Sequence, residues 1–366
     1  LEIYRQLPCE AEFTMGQDPA GRDHLSLVVK RTFDFPDTAG GAPVPSKTQA
    51  PLVHADQYHG APGLSSCRWE TDFAFRKARC DVILNGAAHA PRGEVATKLR
   101  VGIRLGQWSK SFDVFGERHW MAVGPAFVAT DPAPFRRQPI TYDHAFGGTD
   151  RLDPADPAPG AYDANPVGTG WAARRNHLRI NGMRLPHTQA SDEDISSPFG
   201  TYTPMALGPY GRAWPQRRRY AGTYDQDWQD NVFPFLPKDF DERYYQSAPP
   251  DQQVPPPRSG TEVVLLNLTD RGRESFRLND CALPLAIFRG AQPALECEVL
   301  PDTVLFDTDA RKFALVWRVD LPMRRGVLEF SEAWVGPPTA AMARARREGR
   351  RYVRAATTRD GGEAPE

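Results

Sequence analysis

Residues 221–245, AGTYDQDWQDNVFPFLPKDFDERYY, hold six carboxylates and seven large aromatic side chains. Acids set among rings are what a sugar-cleaving enzyme uses, one carboxyl protonating the leaving oxygen while the other attacks or activates water. Asp225, Asp227 and Asp241 are the residues that would do this in a carbohydrate-active or metal-dependent hydrolase. The same residues also have structural work open to them. Asp225 can cap a turn, and Asp239, Asp241 and Glu242 fall in the first turn of a helix that Pro237 would start, where carboxylates suit the positive end of the dipole. Pro234 prevents a helix from running through the segment, and Pro249 with Pro250 closes it. Phe240 and Tyr244 stand four apart, on one helical face. On this second reading Arg212, Trp214, Tyr224, Trp228, Phe240 and Tyr245 shape a partner-binding region or hold the loop itself, with the aromatics on its buried side.

Other constellations carry less. His54, Asp56 and His59 in VHADQYHG are metal-binding types, but their spacing in a proline- and glycine-rich loop matches no zinc site. In YDHAFGGTD, Asp143 could orient His144 as a base, whereas Gly147 and Gly148 suit a tight backbone approach and Asp150 suits capping of backbone N–H groups. QRRRY (216–220) and the arginines of the last helix (Arg344, Arg346, Arg347, Arg350, Arg351, Arg354) could meet phosphates, but they cover more than one face and read as a solvated helix or as contacts for an acidic protein partner. No nucleophile elbow, zinc-protease helix, phosphate loop, kinase signature or calcium loop is present, so no catalytic residue, cofactor or metal is expected.

The elements that would position these groups are strands. LSLVVKRTFDF places Leu25, Leu27, Val29, Phe33 and Phe35 at every second position, broken only by Arg31, which is the period of a half-buried strand. Leu99, Val101, Ile103 and Leu105 alternate up to Gly106–Gln107, and Trp108, Phe112 and Val114 return: a hairpin. Residues 123–259 are rich in proline, glycine, Asp and aromatics and keep no apolar period; a segment of that length is either functional or packs as its own layer. Strands resume from 260 with turns at Asp270–Gly272 and Asp307–Ala310, and RGVLEFSEAWVG adds one more. Beyond Pro338 an Ala/Arg-rich stretch starts a helix at Thr339. The expected fold is mostly β, an antiparallel sandwich or open barrel in which strands of 20–122 and 260–336 share or face sheets. It carries a loop-rich insertion (123–259), all within one domain over 1–336, followed by a helix and polar tail (337–366).

Bulk properties narrow the partners. A formal charge of −1 and 25% charged residues create no global field for nucleic acid or anionic membrane. Five scattered cysteines (Cys9, Cys67, Cys80, Cys281, Cys297) with no C-x-x-C read as buried free thiols in a reducing compartment. LEIYRQLPCEAEFTMGQ lacks the basic and apolar regions of a signal peptide, and no apolar run is long enough to span a membrane, so a soluble cytoplasmic protein is expected.

AFGGTD (145–150), NPVGTG (165–170), LGPYGRAW (207–214), AGTYDQDW (221–228) and LPKDFDERYYQSAPPDQ (236–252), in this order, resemble the bacterial family called domain of unknown function 2169. GRDHLSLVVKRTFDF and SSCRWETDFAFRKARCDVILNGAAHAPRG resemble its first half, and the likeness runs to about Asn267. LPHTQ (185–189) stands where an Asn-containing motif is expected, and PMALGP (204–209) where Phe-Gly-Pro is usual. The resemblance implies a non-enzymatic cytoplasmic adaptor or chaperone of the type VI secretion system. Such a protein binds a toxic effector and helps load it onto the VgrG spike, without touching nucleic acid or entering a membrane.

Overall fold

The computed structural model describes residues 1–38, 40–350 and Tyr352. Its longest strand, Asp23–Asp34, lies antiparallel to Lys312–Pro322, with Asp34 opposite Lys312 and His24 opposite Pro322. Strands from the two ends of the chain therefore pair directly, as their shared alternation implies. This sheet runs in the order Gln253–Val254, Cys80–Asn85, Thr303–Asp307, Lys312–Pro322, Asp23–Asp34, Glu10–Gln17, with Val44–Pro45 beside Asp23–Asp34. A five-stranded sheet is ordered Thr188–Gln189, Trp108–Phe115, Lys98–Leu105, Glu262–Leu266, Arg273–Arg277, and a four-stranded one Glu2–Arg5, Glu332–Val335, Leu283–Arg289, Gln292–Val299. Neither large sheet closes on itself, so the architecture is a sandwich rather than a barrel.

Period two decides the faces. Leu25, Leu27, Val29 and Phe33 enter one continuous core with Val101, Ile103, Phe112, Val263, Leu265, Phe306, Leu315 and Trp317, drawn from both large sheets. Arg31, the break in the pattern, lies on the same face. It is tolerated because its guanidinium lies over the Phe33 ring and donates to Asp280 at 2.9 Å, keeping the charge paired at the core's edge. The opposite face of Asp23–Asp34 is covered too, by Leu52 and Phe73 against Val28 and Val316. The expected turns at Gly106–Gln107, Asp270–Gly272 and Asp307–Ala310 all join hairpins, with Leu105 opposite Trp108, Leu266 opposite Arg273 and Asp307 opposite Lys312.

Most strand pairs are antiparallel, as expected, with parallel exceptions. Cys80–Asn85 runs parallel to Thr303–Asp307, and Glu2–Arg5 parallel to Glu332–Val335. These partners lie far apart in sequence, so no tight turn imposes antiparallel pairing on them. Glu2–Arg5 and Glu10–Gln17 themselves lie ahead of the first strand expected. The signal was present in Ala11, Phe13 and Met15 alternating with Glu10, Glu12 and Thr14.

The middle region packs a second core of Trp120, Phe146, Ala172, Ile180, Leu185 and Ile195. It is short on regular structure but not on burial. Four cysteines are buried and free and Cys297 is half-buried. Thr339 caps the last helix, Ala340–Arg347, by accepting from the Met342 N–H, and Met342 is buried with Tyr4, Phe288 and Trp334. Arg346 makes two hydrogen bonds of 2.6 Å to Glu296. Arg351, Arg354 and the polar tail lie outside the described residues.

Candidate partner-binding site

The motifs of the middle region lock together through backbone. Phe146–Gly147 pairs in parallel with Thr169–Gly170, joining AFGGTD to NPVGTG. Gly147 has φ +143°, and a side chain there would collide with the carbonyl of Asn165. Only glycine permits both. Asn165, fully buried, donates to the carbonyls of Tyr142 (2.8 Å) and Phe146 (3.1 Å). Asp150 accepts from Ala173 N–H and the Asn176 amide, at 2.9 and 2.8 Å. Asp143 is held by Ser66 and Thr141, so it braces a loop and leaves His144 to stack on His187, ring centroids 4.7 Å apart and nearly coplanar in tilt at 7°.

That histidine pair has a consequence for pH. Burial pushes His187 down to about 4, with His144, Arg184 and Arg118 acting in the same direction. His144 is also lowered, by burial first. Between about 4 and the ordinary value near ~6.5 the unfolded chain binds protons that the folded chain refuses. Stability from this pair is therefore complete above pH ~6.5 and is lost as the pH falls through that window towards 4. Urea midpoints measured from pH 7 to 4 are expected to fall, and to fall less steeply in His187→Asn; an unchanged slope would show that the pair does not contribute.

Behind the motifs lies a buried ion lattice. Glu70 accepts from Arg217 at 2.5 Å, with Arg212 at 3.3 Å and Lys77 at 3.8 Å. Burial acts to raise its carboxyl, but Arg217, Lys77 and Arg212 outweigh it and leave the group below its ordinary range. Lys77 pairs with Asp81 at 2.6 Å, and Asp81 accepts from Gln246 and Ser247. Lys30 meets Asp72 at 2.9 Å, and Arg318 joins Asp302 to the Asp72 carbonyl. Arg217 also donates to the carbonyls of Tyr210 and Tyr244. The reading of QRRRY as solvated is thus corrected for Arg217, only 3% exposed: Glu70 arrives from a strand-flanking loop nearly 150 residues earlier, a partner that no local pattern reveals.

The six residues expected to shape the site separate by depth. Trp214 is buried against Tyr142 and Tyr210, and Arg212 bridges Asp56 and Glu70, which makes both part of the scaffold. Phe240 and Tyr245 are half-buried against each other, and burial pushes the Tyr245 hydroxyl up to about 12. Tyr224 lies outside, and Trp228 is half-buried. Tyr224 is 54% exposed and meets Trp228 edge-on; Trp228 packs on Phe233, which is 65% exposed, and its indole N–H donates to the Phe235 carbonyl at 2.9 Å. The expectation that the aromatics form a buried side is corrected for Tyr224, Phe233 and Phe235. The helix of this segment, Gln226–Asn231, is six residues long and too short to bury a face, so these three rings remain open to solvent.

Its acids are engaged locally. Asp225 caps Gln226–Asn231 by accepting from Trp228 N–H, and Asp227 accepts from Asn231. Pro237 does not start a helix, contrary to expectation. A single 3-10 turn begins at Glu242 with Asp241 as its cap, because Asp241 bonds both the Arg243 N–H and its guanidinium. Arg243 holds the Asp241 carboxyl below the ordinary range, and Thr223 does the same for Asp239. A general acid needs the opposite shift.

His54 stacks on Phe73, Asp56 is taken by Arg212 and Thr71, and among the described residues no three potential ligands gather as a metal site. No helix among them is long and apolar enough to cross a membrane.

Residues 20–318 match the model of a family described as an uncharacterized protein conserved in bacteria (DUF2169), which extends the likeness beyond Asn267 into the C-terminal strands. No curated protein and no solved structure matches the chain.

Proposed function

Because the chain belongs to the DUF2169 family, we propose that it is a non-enzymatic adaptor. In this reading it binds a secreted toxin effector in the cytoplasm and presents it to the VgrG spike of a type VI secretion system. The observation that supports this is the outward aromatic group of Tyr224, Phe233 and Phe235, exposed by 54%, 65% and 42% on a segment held by hydrogen bonds of Thr223 to Asp239 and of Arg76 to Glu242. Large aromatic rings gathered in one exposed patch are typical anchors of a protein interface. Local engagement of Asp225, Asp227 and Asp241 is compatible with a frame for binding, and a hydrolase would need two of them to face one cleft at glycosidase separation. Partners are protein only, and release comes from a competing or mechanical step, since no nucleotide-binding motif is present.

The test is co-expression with the protein encoded beside it, followed by affinity capture and by the partner's lifetime with and without this chain. A stable complex and a longer-lived partner are expected. Absence of both would remove the adaptor reading, and polysaccharide hydrolysis abolished in Asp225→Asn or Asp241→Asn would replace it with the hydrolase.

A further inference from the structure

The seven-stranded sheet ends at Glu10–Gln17, which among the described residues pairs only with Asp23–Asp34. A strand edge offers a row of unpaired N–H and C=O groups, and proteins guard such edges with short strands, proline, irregular pairing or charge. The other edges here are guarded. Gln253–Val254 and Thr188–Gln189 are two residues long, and Glu2–Arg5 is four. Gln292–Val299 contains Pro293 and meets a register shift between Ile287 and Phe288, while Arg273–Arg277 carries three charges in five residues. Glu10–Gln17 runs for eight residues with no proline and an unbroken register.

The outward groups of this edge can be assigned. Asp18 N–H donates to the Arg22 carbonyl at 3.0 Å, and Asp23 accepts from Met323 on its other side at 2.8 Å. Bonded pairs alternate along an antiparallel ladder. Gly16, Thr14 and Glu12 therefore bond inward, and Gln17, Met15 and Phe13 aim their amides and carbonyls away from the sheet. Beside this edge lies a cleft of 430 Å³ whose apolar lining includes Met15, Phe73, Phe75, Pro234, Leu236 and Tyr245. Met15 is 60% exposed. The cleft joins the edge strand to the acidic aromatic segment, and Phe235 of that segment lies over Gly21 at the strand's end.

Charge defines the occupant. Asp225, Asp227, Asp230 and Asp239 make no ion pair among the described residues, and Glu12 has only His54, at 3.6 Å. Segment 221–245 sets six carboxylates against two cations of its own, Lys238 and Arg243, and Arg76 from outside it pairs with Glu242. We propose that this edge and cleft take an extended, cationic segment of the protein partner, which joins the sheet as an added strand. Its backbone bonds Phe13, Met15 and Gln17, alternate apolar side chains enter the cleft, and Lys or Arg side chains meet the carboxylates of segment 221–245, which supplies Pro234, Leu236 and Tyr245 to the cleft wall. This deepens the adaptor reading and rests on it.

The probe is a fluorescein-labelled ten-residue peptide alternating valine and lysine, titrated with the full chain by fluorescence anisotropy. Met15→Pro removes one outward N–H at an edge position where proline is tolerated, and urea unfolding confirms that the variant folds. Saturable binding is expected, with Kd at least tenfold weaker for Met15→Pro. A comparable loss is expected for peptide N-methylated at alternate amides and for peptide with glutamate in place of lysine. No binding by the wild type would overturn the proposed occupant, and equal binding by Met15→Pro or by the methylated peptide would overturn strand addition. Capture of the neighbouring-gene partner by Met15→Pro at wild-type strength would also refute it while leaving the adaptor reading intact. Failure of the wild type to capture that partner counts against the adaptor reading instead.

Discussion

Arg217→Met is expected to destabilise the fold by ~3–5 kcal/mol, the usual cost of removing one partner from a buried pair. The loss is large because Arg217 serves three acceptors at once: the Glu70 carboxylate and the carbonyls of Tyr210 and Tyr244. Without it Glu70, its side chain only 6% exposed, keeps Arg212 and Lys77 at 3.3 and 3.8 Å. Urea unfolding of the variant measures the effect. Glu70→Leu combined with Arg217→Met is expected to recover part of the loss, since a buried pair replaced entirely by apolar groups leaves no orphan charge. A single variant within about 1 kcal/mol of wild type would show that the lattice is not a stability element.

The second large effect concerns binding alone. Tyr224→Ser, Phe233→Ser and Phe235→Ser together are expected to weaken capture of the effector at least ~100-fold, because anchoring aromatics typically contribute ~2 kcal/mol or more each and do so non-additively. Stability is expected to fall far less than affinity, since each ring keeps a large exposed area and its contacts, with Trp228 and Gly21, lie at the surface. Affinity from titration calorimetry, set beside the urea midpoint, separates the two quantities. Undiminished affinity would place the interface on another face; a collapsed midpoint would show that the rings support the fold after all.

Strands and caps were legible because they are local. Leu25, Leu27, Val29 and Phe33 announce their face by spacing, and Thr339 and the Gly106–Gln107 turn show their roles within a few positions. The glycines of AFGGTD were legible as a close backbone approach, although not as an approach to Asn165. Depth was not legible. Trp214 and Tyr224 are both large aromatics in the same irregular region, yet one is 6% exposed and the other 54%. Nothing within ten residues of either separates them, because neither sits in a periodic element.

What the sequence determined alone is the β-rich character, the main hairpins, the cap residues and family membership, all of which rest on short-range spacing or on motif order. Tertiary structure decided the parallel pairing of Cys80–Asn85 with Thr303–Asp307, the burial of Arg217 on Glu70, the open edge at Glu10–Gln17 and the outward turn of Tyr224, Phe233 and Phe235. Each of these depends on which distant segments meet. Side-chain periodicity says which face of a strand is apolar, but the long-range packing of one segment on another decides which charges lose their water and which rings keep it.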